Sequence, residues 1–281
     1  MEHYLDSTYD LDDPSLVSII DEIPLWAAPF GLQLLESIQM KHSMRVLDIG
    51  FGLGFPILEL AMRLGTSSQI YGLDPWRAGI KRAQEKVLKM NLSNVHLLEG
   101  VAENLPVDSH VFDLIVSNNG INNVQDIKET FKECYRVLKP DGQLVFTMNL
   151  DETFFEFYDL FRRVLIENGM KTEVEKLQAH IYEKRKPLAE IKELLLKAGF
   201  DIVEIKNGNF NYQFVDGTAM LNHFFIKFAF LESWKQITGL HTNKIFTHLE
   251  KEINTLSANE GKFNMSVPFV TINCRKNNSP M

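Results

Sequence analysis

Cysteine is scarce in this sequence, with two residues, Cys134 and Cys274, in 281. Their separation fits neither a metal-ligand spacing nor a disulfide framework, and two lone thiols suit a reducing cytoplasm. Positive charge is also in deficit: 29 Lys and Arg stand against 37 Asp and Glu, a net charge of -8. A nucleic-acid backbone calls for a basic surface, so a nucleic-acid partner is disfavoured. Long apolar runs are missing. The most apolar late stretch, AMLNHFFIKFAFLESW, is interrupted by Asn222, His223 and Lys227 and is too short to span a bilayer. The acidic start, MEHYLDSTYDLDD, has no apolar segment of the secretory kind. No clustered His, Asp and Glu set points to a metal. A soluble, cytoplasmic protein without a membrane span is expected.

What is present has a regular rhythm. From Arg45 to Met148, β-rich runs alternate with helical ones, the pattern of a parallel sheet covered on both faces. RVLDIG, QIYGLD, NVHLLEG, FDLIVSNN and QLVFTMN read as five strands. PILELAMRLG, RAGIKRAQEKVLKMN and DIKETFKECYRVLK read as the helices between them, the last stopped by Pro140 and Gly142. Later, TFFEFYDLFRRVLIENG and LAEIKELLLKAGF read as helices, FDIVEIK as a sixth strand and SVPFVTINCRK as a seventh. The segments 216–234 and 244–256 are expected to be mostly helical. Residues 1–43 hold two helical pieces around Pro24. The division expected is an N-terminal helical cap (1–43), a core (44–150), and lid helices with the closing strands (151–281).

The stretch VLDIGFGLGFP carries Gly50, Gly52 and Gly54, with Asp48 two residues ahead of the first. A dinucleotide fingerprint would need glycine at position 55, which is Phe55. Asp74 closes the second strand about twenty residues on, where a carboxylate can accept from both hydroxyls of a ribose. That acid disfavours a 2′-phosphate but does not separate NAD from S-adenosylmethionine (SAM). Asp48 does: negative charge beside the turn suits a sulfonium and an ammonium better than a diphosphate, which wants open helix N–H groups.

With VLDIGFGLG, YGLDP, EGVAENLP, FDLIVSNNGINNV and VLKPDGQLVFT in order, residues 44–148 resemble a class I SAM-dependent methyltransferase of the ubiquinone/menaquinone-methyltransferase-like group. The resemblance implies a Rossmann-like α/β fold with seven strands, the last (around 267–274) antiparallel, and helices on both faces. It implies SAM as cofactor and S-adenosylhomocysteine (SAH) as product. Gly50, Gly52 and Gly54 would admit the ligand, and Asp48 would help place its ammonium. Asp74 would hold the ribose, with Pro75 and Trp76 beside the adenine. The Ala102 backbone would meet the adenine with Glu103 next to it, and the carbonyl of Ser117 or Asn118 would meet the ammonium. Val101 departs from the family, which usually carries an acid there.

Methyl transfer from a sulfonium needs positioning more than a catalytic motif, and a base only where the acceptor must lose a proton. SNNG after the fourth strand is not the N-P-P-Y of many nucleic-acid amine methyltransferases. A small hydrophobic or aromatic acceptor is the expectation, held by Trp26, Phe30, Asn119, Asn122 and Phe225. The late stripe of Met220, Leu221, Phe224, Phe225, Phe228 and Trp234 reads first as helix core, and Asn119, Asn122 and Asn123 read equally as an exposed turn. His180, followed by Lys184, Arg185 and Lys186, is the one candidate catalytic base; the plainer reading is a solvated helix end. His223 reads as a hydrogen-bonded packing residue. The other classes weighed are a non-catalytic SAM-binding regulator, an NAD-dependent oxidoreductase, and a nucleic-acid or protein methyltransferase. A monomer or homodimer is expected.

Overall fold

Alternation along the central strands builds the sheet. β1 (Arg45–Ile49) sends Val46 to one face and Leu47 and Ile49 to the other, and β4 (Phe112–Asn118) divides Leu114 and Val116 from Phe112 and Ile115 in the same way. Both faces are apolar, so both must be covered. Helices α2 (Ala27–Glu36), α3 (Ile57–Leu64) and α4 (Arg77–Lys89) cover one, and α5 (Ile127–Val137) and α8 (Leu188–Lys197) cover the other. Cutting a fully buried residue such as Leu114 back to alanine would cost about 2–5 kcal/mol.

The computed structural model describes residues 3–22 and 25–277, so Pro24, around which two helical pieces are expected, lies outside the described residues. The sheet is ordered β3-β2-β1-β4-β5-β7-β6, with β2 (Gln69–Asp74), β3 (Val95–Glu99), β5 (Leu138–Asn149), β6 (Phe200–Phe214) and β7 (Phe263–Lys276). The pairs from β3 through β5 are parallel, and β7 runs antiparallel to β5 with Leu144 opposite Cys274. This is the seven-stranded arrangement expected.

Helix starts follow local chemistry. Asp13 caps α1 (Pro14–Asp21) through the Ser15 amide at 2.9 Å, ahead of a proline at the first position, and Asp126 caps α5 through the Glu129 amide at 3.0 Å. The chain forms two compact units. One is Leu11–Leu150, Pro187–Gly208 and Phe269–Met281, which carries α1–α5, α8 and β1–β5. The other is Met1–Asp10, Asp151–Lys186 and Asn209–Pro268. It holds α6 (Phe155–Glu167), α7 (Lys171–Lys184), α9 (Gly217–Asn222), α10 (Phe224–Ile226), a π turn (Lys227–Leu231), α11 (Glu232–Thr238) and α12 (Thr242–Glu260). Its interior is aromatic, with Phe157 and Trp234 rings 4.2 Å apart and Phe161 against Phe246.

Two elements depart from the sequence reading. Helix α7 is a separate 14-residue element. Strand β6 runs 15 residues instead of stopping before Asn207. Gly208, inside the strand, admits the Phe269 ring: a Cβ there would meet Phe269 Cζ at 2.2 Å.

Candidate cofactor site

Strand order reverses between β1 and β4, and open α/β sheets bind ligands at the carboxyl edge of such a point. A cavity of about 410 Å³ lies there, entirely within the first unit. Ile49, Gly50 and Gly52 line it from the end of β1, and Leu73, Asp74 and Pro75 from the end of β2. Gly100, Val101, Ala102 and Glu103 line it after β3, and Gly120, Asn123, Val124 and Gln125 after β4.

The glycine turn is held in the left-handed region, with φ of +76° at Gly50, +54° at Gly52 and +110° at Gly54. The last two do different work. A Cβ on Gly52 would meet no atom within 4 Å and would stand in open space beside the cavity. A Cβ on Gly54 would meet Leu58 Cδ1 at 2.7 Å, so that glycine lets α3 pack and does not line the cavity.

Asp74 is buried and accepts at 2.8 Å from the Gly52 amide on Oδ2 and from the Trp76 amide on Oδ1. Burial raises its pKa, and these two amides oppose the rise. Each oxygen keeps a further acceptor position toward the cavity. Asp48 is fully buried one strand over, and neither of its oxygens has a hydrogen-bond partner among the described residues. Its pKa stands well above the usual carboxylate range, first from burial and then from the charge of Asp74. The Ile57 amide at the head of α3 eases that charge without reaching hydrogen-bond geometry, and burial outweighs it.

The remaining candidates separate. Ser117 Oγ donates to the Ile49 carbonyl at 2.7 Å and accepts from the Ile121 amide at 3.1 Å, stapling β4 to β1. Asn118 joins the Ala27 carbonyl to the Thr147 hydroxyl, each at 3.0 Å. Asn119 accepts from the Asn122 side chain, which also donates to Asn149, so this pair organises the turn after β4. Ala102 and Glu103 line the cavity, and Glu103 Oε1 accepts from the Gln125 amide at 2.7 Å and the Asp126 amide at 3.1 Å. Trp76 turns away, donating from Nε1 to the Leu11 carbonyl at 3.1 Å. Phe30 is wholly buried between Trp26 and Phe269, and neither Trp26 nor Phe30 lines the cavity.

His180, Phe225 and His223 belong to the second unit. Phe225 is half-buried and stacks with Tyr212. His223 packs on Tyr212 and Phe214, as expected of a packing residue, but its Nδ1 lacks the hydrogen bond expected, with no partner among the described residues. His180 Nε2 lies 3.4 Å from the Tyr158 hydroxyl, and burial, then Arg185 and Lys184, lower its pKa to about 4. Gly120, Gln125 and Val124 were missed by the sequence reading. Gly120 follows SNN directly, and a Cβ there would meet the Ile49 carbonyl at 2.6 Å, a close approach that the glycine itself signalled.

Among the described residues no group of three or more His, Cys, Asp and Glu can hold a metal, and no helix is long and apolar enough to cross a membrane. A parallel sheet of this order, with a glycine turn at the switch point and carboxylates beside it, defines a nucleoside-cofactor module suited to a cationic ligand. Comparison with known proteins agrees. A family model described as a methyltransferase domain matches residues 47–146. A demethylmenaquinone methyltransferase of Geobacillus kaustophilus is 30% identical over 187 residues, 62% of this chain and 77% of that one. Another, of Staphylococcus carnosus, is 30% identical over 184 residues, 62% and 75% respectively. A crystal structure of a putative methyltransferase from Bacillus halodurans C-125 shares the fold with a TM-score of 0.60, at 17% identity over 88% of this chain and 98% of that one.

The chain belongs to the class I SAM-dependent methyltransferases, in their quinone-methyltransferase-like group. SAM is its cofactor, and the residues present fit it. Asp74 lines the cavity, and Asp48, behind the lining, is buried and partnerless one strand over; a cation beside this pair would relieve its raised pKa values, whereas a diphosphate would raise them further.

Proposed function

We propose that this methyltransferase acts on a small, hydrophobic, ring-bearing acceptor. The observation that carries the reading is the likeness to proteins named for demethylmenaquinone, a quinone, over three quarters of their length. Bound SAM supplies an activated methyl group on a sulfonium. The protein's share is to hold that group and an acceptor atom in line and to keep water out. Gly50 and Gly52 leave room for the ligand, Asp74 accepts from its ribose, and Asp48 answers its ammonium.

The acceptor's own chemistry is constrained by what lines the cavity. Among the described residues that line it, only Asp74 and Glu103 have side chains that titrate, and both are engaged by backbone amides. An acceptor that enters as a phenolate, its proton already released to solvent, needs no base from this set to take the methyl group on oxygen.

The test is SAH release with purified protein and SAM over four acceptors: a short-chain reduced demethylmenaquinone analogue, a catechol, a primary amine and duplex DNA. Turnover with either ring acceptor is expected. Turnover confined to the amine or DNA, or none from any acceptor by a protein that binds SAH, would overturn the reading.

A further inference from the structure

In the second unit, Arg185 follows the last turn of α7 and is 3% exposed, although the run Lys184-Arg185-Lys186 reads as a solvated helix end. Its backbone amide closes the helix on the Ile181 carbonyl at 2.9 Å, which turns the side chain inward. There the guanidinium finds aromatic and neutral groups. Nη1 donates to the Tyr158 hydroxyl over a long 3.4 Å, and Cζ sits 5.4 Å from the centre of the same ring. No carboxylate among the described residues pairs with it, and its buried Nε has no hydrogen-bond partner.

The neighbours cannot supply the missing charge. Trp234 Nε1 donates to the Tyr158 hydroxyl at 3.0 Å. With Trp234 and Arg185 both donating to that oxygen, its proton turns to His180 Nε2 at 3.4 Å, so the histidine acts as a neutral acceptor. Lys184 adds positive charge near His180, with Glu183 on the opposite side of the balance. A guanidinium taken from water costs much more than one long hydrogen bond and a ring face return, and native proteins leave few such groups unanswered.

The pattern of engagement names the ligand. Nη1 is occupied, whereas Nε and Nη2 have no acceptor among the described residues. Those two N–H groups form the edge of the fork that takes two oxygens of one anion side by side. We propose that Arg185, with Tyr158, His180 and Trp234 around it, is a binding site for a small oxyanion, a carboxylate or a phosphate. The site lies within the second unit and does not depend on which acceptor the enzyme methylates.

Calorimetric titration of the full-length protein at pH 7 tests this with three probes: sodium benzoate, sodium phosphate, and benzamide as the neutral twin of benzoate. Saturable binding of benzoate, phosphate or both is expected, and none of benzamide. The better of the two anions tells a planar carboxylate site from a phosphate site. Arg185→Met should weaken anion binding at least tenfold, and Arg185→Lys should retain part of it. If Arg185→Met does not fold, Tyr158→Phe with Arg185→Lys replaces it, because loss of the Nη1 anchor and of the fork should each weaken the anion. Absence of binding by either anion to the wild type, equal binding of benzamide, or unchanged affinity in the variants would overturn the proposal.

Discussion

Asp48 stands one residue before the end of β1 and Asp74 ends the adjacent β2, yet among the described residues only Asp74 has hydrogen-bond partners. The difference predicts opposite responses. Asp48→Asn removes a buried charge that burial and Asp74 already disfavour, so the ligand-free variant should melt at or above the wild-type temperature. Its affinity for SAH should fall by on the order of 1.5–3 kcal/mol, the worth of a hydrogen bond to a charged group. Asp74→Ala abandons the amides of Gly52 and Trp76, and so should lose about 1–3 kcal/mol of stability as well as affinity. Differential scanning calorimetry and SAH titration on the same samples separate the two. Equal loss of stability in both variants would mean that Asp48 is not the strained partner.

Gly52 supplies a third contrast. Its φ of +54° makes any side chain cost roughly 1–2 kcal/mol, but a Cβ there meets nothing within 4 Å. Gly52→Val should therefore fold, with a modest fall in melting temperature, and fail to bind SAH. A variant that binds with wild-type affinity would move the ligand away from the turn.

Among the elements, the cavity wall depends on one side chain that bridges two loops. Glu103, after β3, takes the amides of Gln125 and Asp126, just ahead of the α5 cap. Glu103→Ala leaves those amides to solvent, and hydrogen exchange at residues 123–126 should speed up while the β4 amides keep wild-type protection. SAH affinity should fall with it. Unchanged exchange there would mean that Asp126 and α5 hold the loop alone. This link was beyond the sequence, where Glu103 stood only as a neighbour of the adenine, because a contact across 22 residues leaves no periodic trace. The central strands were legible since both faces of the sheet are apolar and β1, β2 and β3 each close on an acid or just before a glycine. Helix α7 was less so: its one fully buried residue, Leu177, gives a weak helical stripe. Arg185 was misread for a related reason, since a basic run carries no mark of which member turns inward.

On the scale of the whole molecule, two buried groups tilt stability with pH in opposite directions. His180 has its pKa lowered from 6.5 to about 4 in the folded state. Above pH 6.5 it is neutral folded or unfolded and contributes nothing. Between 6.5 and about 4 the unfolded chain binds its proton and the folded one does not, so stability falls with acid. Asp48 is raised above 3.8 when folded. Below 3.8 it is protonated in both states; as pH rises past that value the unfolded chain releases its proton first and the fold loses stability. In the acid window the two slopes partly cancel in the wild type. Asp13, Glu133, Glu193 and His223, all lowered, add acid lability, and Asp74 and Glu152, both raised, oppose it, alike in every variant. Urea midpoints measured from pH 4 to 7.5 should then fall more steeply with acid in Asp48→Asn than in the wild type. His180→Asn should fall less steeply, because removing the histidine takes away its share of the acid slope and leaves that of Asp48 in opposition. If His180→Asn keeps the full wild-type slope, the histidine charges freely in the folded protein and is not shielded beside Tyr158 and Arg185.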